Sequence, residues 1–306
     1  MLKKILYHYR PINLFIVCVT QLVVLTFLIQ NSNSVNCFPI IVFPAIFACT
    51  VIITISGYLI NDYFDYSIDE INKPLKQRLS KDSLLRLYLF NVTLGLVLAI
   101  FIANEIGNLF YTLIYFLATL LLFLYASHFK RLGLIGNVVV SSFSSLVIAI
   151  IWFVFKVFCI PIQNDLPNTI LVQKVNKESI LLLFMCFVFL SSMAREIIKD
   201  CQDISGDSKF GLQTLPIRIG INRTIFFVNF FLAILIIVSC TWIYATLATM
   251  PIYKSVILVL IIFTIIYSMI KTNKAKNSED FKFVSKILKT CMGFGILYLF
   301  TLSLPS

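Results

Sequence analysis

Two short segments of the chain carry carboxylates at helical spacing. The first reads Gly57-Tyr58-Leu59-Ile60-Asn61-Asp62-Tyr63-Phe64-Asp65-Tyr66-Ser67-Ile68-Asp69, the second Arg195-Glu196-Ile197-Ile198-Lys199-Asp200-Cys201-Gln202-Asp203-Ile204-Ser205-Gly206-Asp207. Successive helical residues turn by about 100°, so Asn61, Asp62, Asp65 and Asp69 fall within an arc of about 100°. Asp200, Asp203 and Asp207 span about 60°, with Glu196 a turn earlier on the same face. Like charges on one helical face repel, and aspartate is a poor helix former, so two such faces call for a cation between them. Carboxylate oxygens suit hard cations, and Mg2+ usually takes a few carboxylates and completes its shell with substrate phosphate oxygens. No His or Cys stands among the acids in zinc-ligand spacing. Acids at the end of a span are often merely solvated or capping; that reading does not account for two clusters of matching spacing.

Basic residues lie beside the acids. Lys73, Lys76 and Arg78 follow the first segment, and Lys130 with Arg131 falls in a later loop. Each could serve a phosphate, although cytoplasmic loops gather Lys and Arg in any case. Lys130 is the best individual candidate for a phosphate contact.

The elements that must position these residues are membrane spans. Of the 306 residues, 59% are hydrophobic and 13% charged, with mean hydropathy +0.95. A water-soluble domain of that size needs more polar surface. Crossing about 30 Å of hydrocarbon takes roughly 20 mostly apolar residues. Nine such runs are present: Pro11–Gln30, Phe38–Ile60, Leu84–Ala103, Asn108–Ser127, Ile135–Phe158, Ser179–Lys199, Ile221–Thr246, Ile252–Ile270 and Phe283–Leu302. The first follows Lys3, Lys4 and Arg10 but lacks a small-residue cleavage site after it, so it reads as a retained span. An N-terminus in the cytoplasm places all but four of the 25 basic residues at or near that face, the exceptions being Lys156, Lys174, Lys177 and Lys254. Both acidic segments then sit at cytoplasmic helix ends, in one membrane domain covering residues 1–306. The plasma membrane of a prokaryote is the expected location.

The net charge of +11 is explained by those loops and by anionic lipid headgroups, and nucleic-acid binding is not expected. The eight cysteines are scattered, Cys37 and Cys49 being nearest at twelve residues apart, so no short metal or redox spacing occurs. His8 and His128 are isolated near the cytoplasmic interface. An acidic segment after span two and another after span six, four helices apart, hint at a duplicated four-helix unit.

These residues carry a family resemblance. Asn61-Asp62-x-x-Asp65-x-x-x-Asp69 resembles the first aspartate-rich motif of the UbiA superfamily of intramembrane prenyltransferases. Asp203-x-x-x-Asp207, followed by Gly211 and Thr214-Leu215-Pro216, resembles the second. Arg10-Pro11-x-Asn13, Tyr125-Ala126-Ser127 with Lys130-Arg131, and Gly133-Leu134-Ile135-Gly136-Asn137 add to it, so the likeness covers residues 10 to about 220. Within the superfamily, Arg195-Glu196-Ile197-Ile198-Lys199-Asp200 is most similar to the digeranylgeranylglyceryl phosphate synthases. One departure stands out: many relatives carry Arg-Pro soon after Asn-Lys-Pro, where this chain has Lys76-Gln77-Arg78 after Asn72-Lys73-Pro74.

The resemblance implies an all-α fold of nine transmembrane helices around a central cavity, both acidic motifs facing its cytoplasmic mouth. The substrates implied are a polyprenyl diphosphate and an acceptor, foremost a prenylglyceryl phosphate, with membrane lipids around them. Asp65, Asp69, Asp203 and Asp207 would be catalytic. With Asn61, Asp62 and Asp200 they would hold Mg2+, while Asn61, Lys130, Lys73 and Arg78 would contact the diphosphate. An aromatic acceptor of quinone synthesis is the alternative within the class. A cation transporter is the alternative outside it, though transport favours acids near the bilayer midplane, whereas these lie at helix ends.

Overall fold

Apolar runs bounded by polar or helix-breaking residues become helices, because a backbone inside lipid must satisfy its hydrogen bonds within the segment. A computed structural model of the protein describes residues 2–29, 41–72, 79–158, 169–246 and 252–304. Among them the helices are α1 (Leu2–Tyr9), α2 (Pro11–Ile29), α3 (Val42–Phe64), α4 (Tyr66–Asn72), α5 (Lys81–Ile106), α6 (Phe110–Ser127), α7 (Leu134–Phe158), α8 (Thr169–Lys209), α9 (Leu215–Ile219), α10 (Ile221–Thr246), α11 (Ile252–Lys274) and α12 (Ser278–Leu302), with no strand among the described residues. Nine of these are long and apolar enough to cross a membrane, one for each run read from the sequence. Large apolar side chains such as Phe90, Phe116, Phe230 and Phe263 point outward, at 64%, 50%, 51% and 66% exposure, which suits lipid and not water.

The helices gather into two compact units, each drawn from three stretches of chain. The first comprises Met1–Val19, Phe38–Val139 and Asp203–Thr214. Within it α3, α5 and α6 pack on one another and α1 lies against α3. The α3–α5 approach is close: a Cβ on Gly95 would stand 2.8 Å from Cγ1 of Ile53, and the Cys49 thiol donates to the Gly95 carbonyl at 3.3 Å. Small residues permit such contact between membrane helices, where burial from lipid adds little drive. At one end of this unit Ile55, Leu59, Ile60, Leu79, Leu84, Tyr88 and Ala126 form a buried cluster that seats the first acidic segment. Ser80 caps α5 by accepting the Ser83 N–H.

The second unit comprises Thr20–Cys37, Val140–Gln202 and Leu215–Ser306. Its helices α10, α11 and α12 pack in chain order. Polar side chains join α7 to α8: Ser144 and Ser192 hydroxyls meet at 3.1 Å, and Ser145 donates to the Met185 carbonyl at 3.0 Å. The two units cut across the four-helix repeat suggested by the sequence, because the second acidic segment is divided between them, its end from Asp203 onward grouping with the first segment.

Candidate functional site

The first acidic segment is not one unbroken helix. α3 ends at Phe64, Asp65 takes the C-cap position, and α4 resumes at Tyr66. The hydrogen-bond ladder nevertheless runs through the junction, since the Asp65 N–H donates to the Asn61 carbonyl at 2.9 Å and the Asp69 N–H to the Asp65 carbonyl at 2.8 Å. The junction leaves the four motif residues in different settings.

Asp65 is buried at 5% exposure and faces Lys130. The lysine ammonium pairs with Asp65 Oδ2, which also accepts the Asn61 side-chain amide at 2.8 Å. Lys130 stands in a single 3₁₀ turn, Phe129–Arg131, between α6 and α7. Gly136 fixes that turn, for a Cβ there would lie 3.0 Å from the Phe129 carbonyl and 3.1 Å from the Lys130 Cα. Burial alone lowers the lysine's proton affinity. The Asp65 charge outweighs it, and with Tyr125 and Asp207 raises Lys130 above the ordinary lysine range.

Asp207, from the second acidic segment, lies within electrostatic reach of the same lysine. It is buried at 2% exposure, in the last turn of α8. There the Leu212 N–H closes back on the Asp207 carbonyl at 3.0 Å and the Gly211 N–H on the Ser208 carbonyl at 3.2 Å. This is a Schellman ending, and Gly211 supplies the left-handed residue it requires, at φ 69°. The glycine of the second motif therefore stops the helix one turn after its last aspartate.

Asp62 turns away from Lys130, towards the N-terminal segment. Its Oδ2 accepts from His8 Nδ1 at 2.7 Å and its Oδ1 from Arg10 Nη2 at 2.6 Å. The other imidazole nitrogen, Nε2, accepts the Leu79 N–H at 3.2 Å, so the ring is neutral with its proton on Nδ1. Arg10 stacks on Tyr58 at 4.6 Å and lies within electrostatic reach of Asp69. It also holds a left-handed backbone, φ 51°, at the break between α1 and α2, where Pro11 opens the next helix. Such strain persists only where surroundings over-determine it, and here the Asp62 pairing does so.

Of the residues expected from the sequence, Asn61, Asp65, Lys130 and Asp207 are thus drawn to one place. Asp62 is committed to His8 and Arg10. Asp203 belongs to the first unit and Asp200 to the second. Lys73 and Arg78 lie outside the described residues. Among the described residues no three of His, Cys, Asp and Glu converge in metal-holding geometry. Sequence reasoning missed His8 and the structural role of Arg10. The signal that could have found them is a histidine two residues from the Arg10-Pro11 break, in a helix too short to stand without a partner.

The site fits a divalent cation by its own chemistry. Asp65 caps α3 and Asp207 ends α8, so two buried carboxylates sit at the negative ends of two helices, where an anion is disfavoured. Lys130 offsets one such charge. Carboxylates of this kind are hard oxygen donors that Mg2+ takes.

Fold and site together define an all-helical membrane protein in which buried carboxylates gather beside a half-buried lysine. The model of the UbiA prenyltransferase family matches residues 20–290, and the chain belongs to that family. A digeranylgeranylglyceryl phosphate synthase of Methanocaldococcus jannaschii is 28% identical over 92% of this chain and 90% of that protein. Its counterpart in Methanosphaera stadtmanae is 32% identical over 80% of this chain and 81% of its own length. The match to the Sulfurisphaera tokodaii synthase, at 31% identity, spans 61% of each chain. A solved structure of digeranylgeranylglyceryl phosphate synthase superposes with a TM-score of 0.66 at 25% identity, covering 99% of this chain and 98% of that one. The fold is shared as well with a UbiA homolog from Archaeoglobus fulgidus bound to DMAPP and Mg2+, at a TM-score of 0.57 and 15% identity over 97% of this chain and 99% of that one.

Proposed function

We propose that this protein is a Mg2+-dependent prenyltransferase that moves a geranylgeranyl-sized group from its diphosphate to a lipid-like acceptor bearing a glyceryl phosphate. The observation that carries the reading is the buried pair of carboxylates, Asp65 and Asp207, flanking Lys130. The named activity of the relatives supports the acceptor. Asp65, Asp69, Asp203 and Asp207 would hold Mg2+, assisted by Asn61 and Asp200, and the metal would neutralise diphosphate oxygens so that they leave readily. Lys130 adds N–H donors to the same departing oxygens, and Asn61 orients Asp65 for its task. Lys73 and Arg78 are proposed as further diphosphate contacts. The allylic C–O bond breaks with its electron pair going to the diphosphate. An acceptor hydroxyl oxygen then bonds the freed carbon and its proton is released. Apolar helix walls keep water from that carbon. The chain acts as one membrane domain with N-terminus and site on the cytoplasmic face of a plasma membrane, as the distribution of its basic residues supports.

The test is to incubate purified protein in lipid with geranylgeranyl diphosphate, Mg2+ and a panel of prenylglyceryl phosphate and aromatic acceptors, with and without EDTA, and to weigh the products. A product of prenylglyceryl phosphate that EDTA abolishes is expected. Aromatic products alone would overturn the acceptor, and no product from folded protein at several prenyl lengths would overturn the class.

A further inference from the structure

A second cluster of charge lies on the part of α8 that belongs to the second unit. Arg195 Nη1 and Lys199 Nζ both donate to Oε1 of Glu196, at 3.0 and 2.6 Å. A third cation approaches from α12. The helices α8 and α12 run antiparallel, tied at one end where a Cβ on Gly295 would strike Phe187 at 2.3 Å, and at the other where the Ser278 hydroxyl donates to the Gln202 carbonyl at 3.0 Å. Between those points the register brings the turn around Lys286 opposite Arg195 and Lys289 into the next turn. The Lys289 ammonium is within electrostatic reach of the Arg195 guanidinium. Two cations therefore share a single glutamate, and a third lies near one of them. Asp200 stands about 140° round the helix from Arg195.

The cluster also has an unmet donor. Arg195 Nε is shut off from solvent and has no hydrogen-bond acceptor among the described residues, although Nη1 of the same group is paired. A buried N–H without an acceptor costs about 1 to 3 kcal/mol, more on a charged group, so this donor is open to an acceptor supplied by a ligand. The guanidinium fork and flanking ammonium groups match the tetrahedral oxygens of a phosphate. Arg195 and Lys199 lie about 40° apart around α8, and Asp203 another 40° on, so the cations adjoin the acidic stripe along one face of one helix.

We propose that Arg195, Lys199 and Lys289 form a phosphate site that takes the phosphomonoester of the prenyl acceptor, while Glu196 holds the two α8 cations in place. The proposal rests on the prenyl-transfer reading and names how its acceptor is held. It gives each of two phosphate-bearing substrates its own cations.

The experiment has two arms on the full chain in lipid nanodiscs, with Arg195→Gln and, as a second substitution on the other helix, Lys289→Gln. In the kinetic arm, KM for the prenylglyceryl phosphate should rise about tenfold or more in each variant, the loss of one charge-assisted hydrogen bond, while KM for geranylgeranyl diphosphate stays unchanged. A rise in the diphosphate KM instead, or no change in either, overturns the proposal. The binding arm titrates glycerol phosphate, and separately inorganic phosphate, into protein without prenyl diphosphate, and so reads the site even if no transfer occurs. Heat of binding to the unsubstituted protein that both variants lose supports the site. No binding to the unsubstituted protein, or equal binding to all three, overturns it.

Discussion

Asn61 and Lys130 donate to one and the same oxygen, Oδ2 of Asp65, from two elements more than sixty residues apart in the chain. The amide sets the carboxylate's orientation from the helix below, and the ammonium supplies the charge that makes its burial tolerable. Removing that charge by Lys130→Met leaves Asp65 and Asp207 as buried anions at helix C-termini. The variant should lose about 3 kcal/mol or more of stability. Its turnover should drop by roughly a hundredfold or more, as when an electrostatic donor to a leaving group is removed. Thermal unfolding in detergent and product formation would be read side by side.

The pH dependence of that stability follows from the direction of the lysine's shift. Lys130 holds its proton more tightly when folded than the ordinary value of 10.5. Its contribution is therefore fully present below that ordinary value and fades only as pH rises past it towards the higher folded value. In EDTA the gap in melting temperature between the parent protein and Lys130→Met should stay constant from about pH 7 to about pH 10. A gap that closes within that window would show that Asp65 and Asp207 do not hold the proton on.

Asp65→Asn and Asp207→Asn keep shape while removing one negative charge from the candidate cation site. Each should abolish measurable transfer at Mg2+ concentrations that saturate the parent, yet leave the protein folded, because an amide at a helix C-terminus is tolerated better than a buried carboxylate. Full activity in both variants would sink the assignment of these residues to Mg2+.

His8 ties three segments with one ring: α1 on which it sits, Asp62 of α3, and the Leu79 N–H just ahead of α5. His8→Phe fills the same space but strands a buried N–H and withdraws a partner from a buried carboxylate. It should cost about 2 kcal/mol or more. His8→Asn, which can still donate to Asp62, should recover part of that loss. Equal melting temperatures for all three proteins would show that Asp62 is anchored without His8.

The spacing of the aspartates was legible in the sequence because helical periodicity requires only local geometry. Nine spans were legible for the same reason, each apolar run announcing its own length. What the spacing of Asp62 and Asp65 could not show is that they part company at the junction of α3 and α4, one towards His8 and Arg10 and the other towards Lys130. That divergence depends on partners 54, 52 and 65 residues distant. The continuation of α8 past Lys199 to Lys209 was likewise hidden to a count of apolar residues, since its final turns are polar and end only where Gly211 takes a left-handed conformation. The cluster at Arg195 needed α12, whose register against α8 no local pattern states.

That register is itself testable. The Gly295 Cα faces the Phe187 ring so closely that any Cβ would sit 2.3 Å from Cε1, far inside contact distance. The ring is buried and stacked on Phe184 at 6.3 Å, so it has little room to retreat. Gly295→Leu should force α8 and α12 apart, destabilising the protein by about 1 to 3 kcal/mol as overpacking does. Since Lys289 lies under two turns from this contact, the same substitution should weaken glycerol phosphate binding without changing the KM for prenyl diphosphate. Pairing it with Phe187→Ala, which opens the space, should restore both stability and binding in part. If the double variant is no better than Gly295→Leu alone, these two residues do not set the approach of the helices.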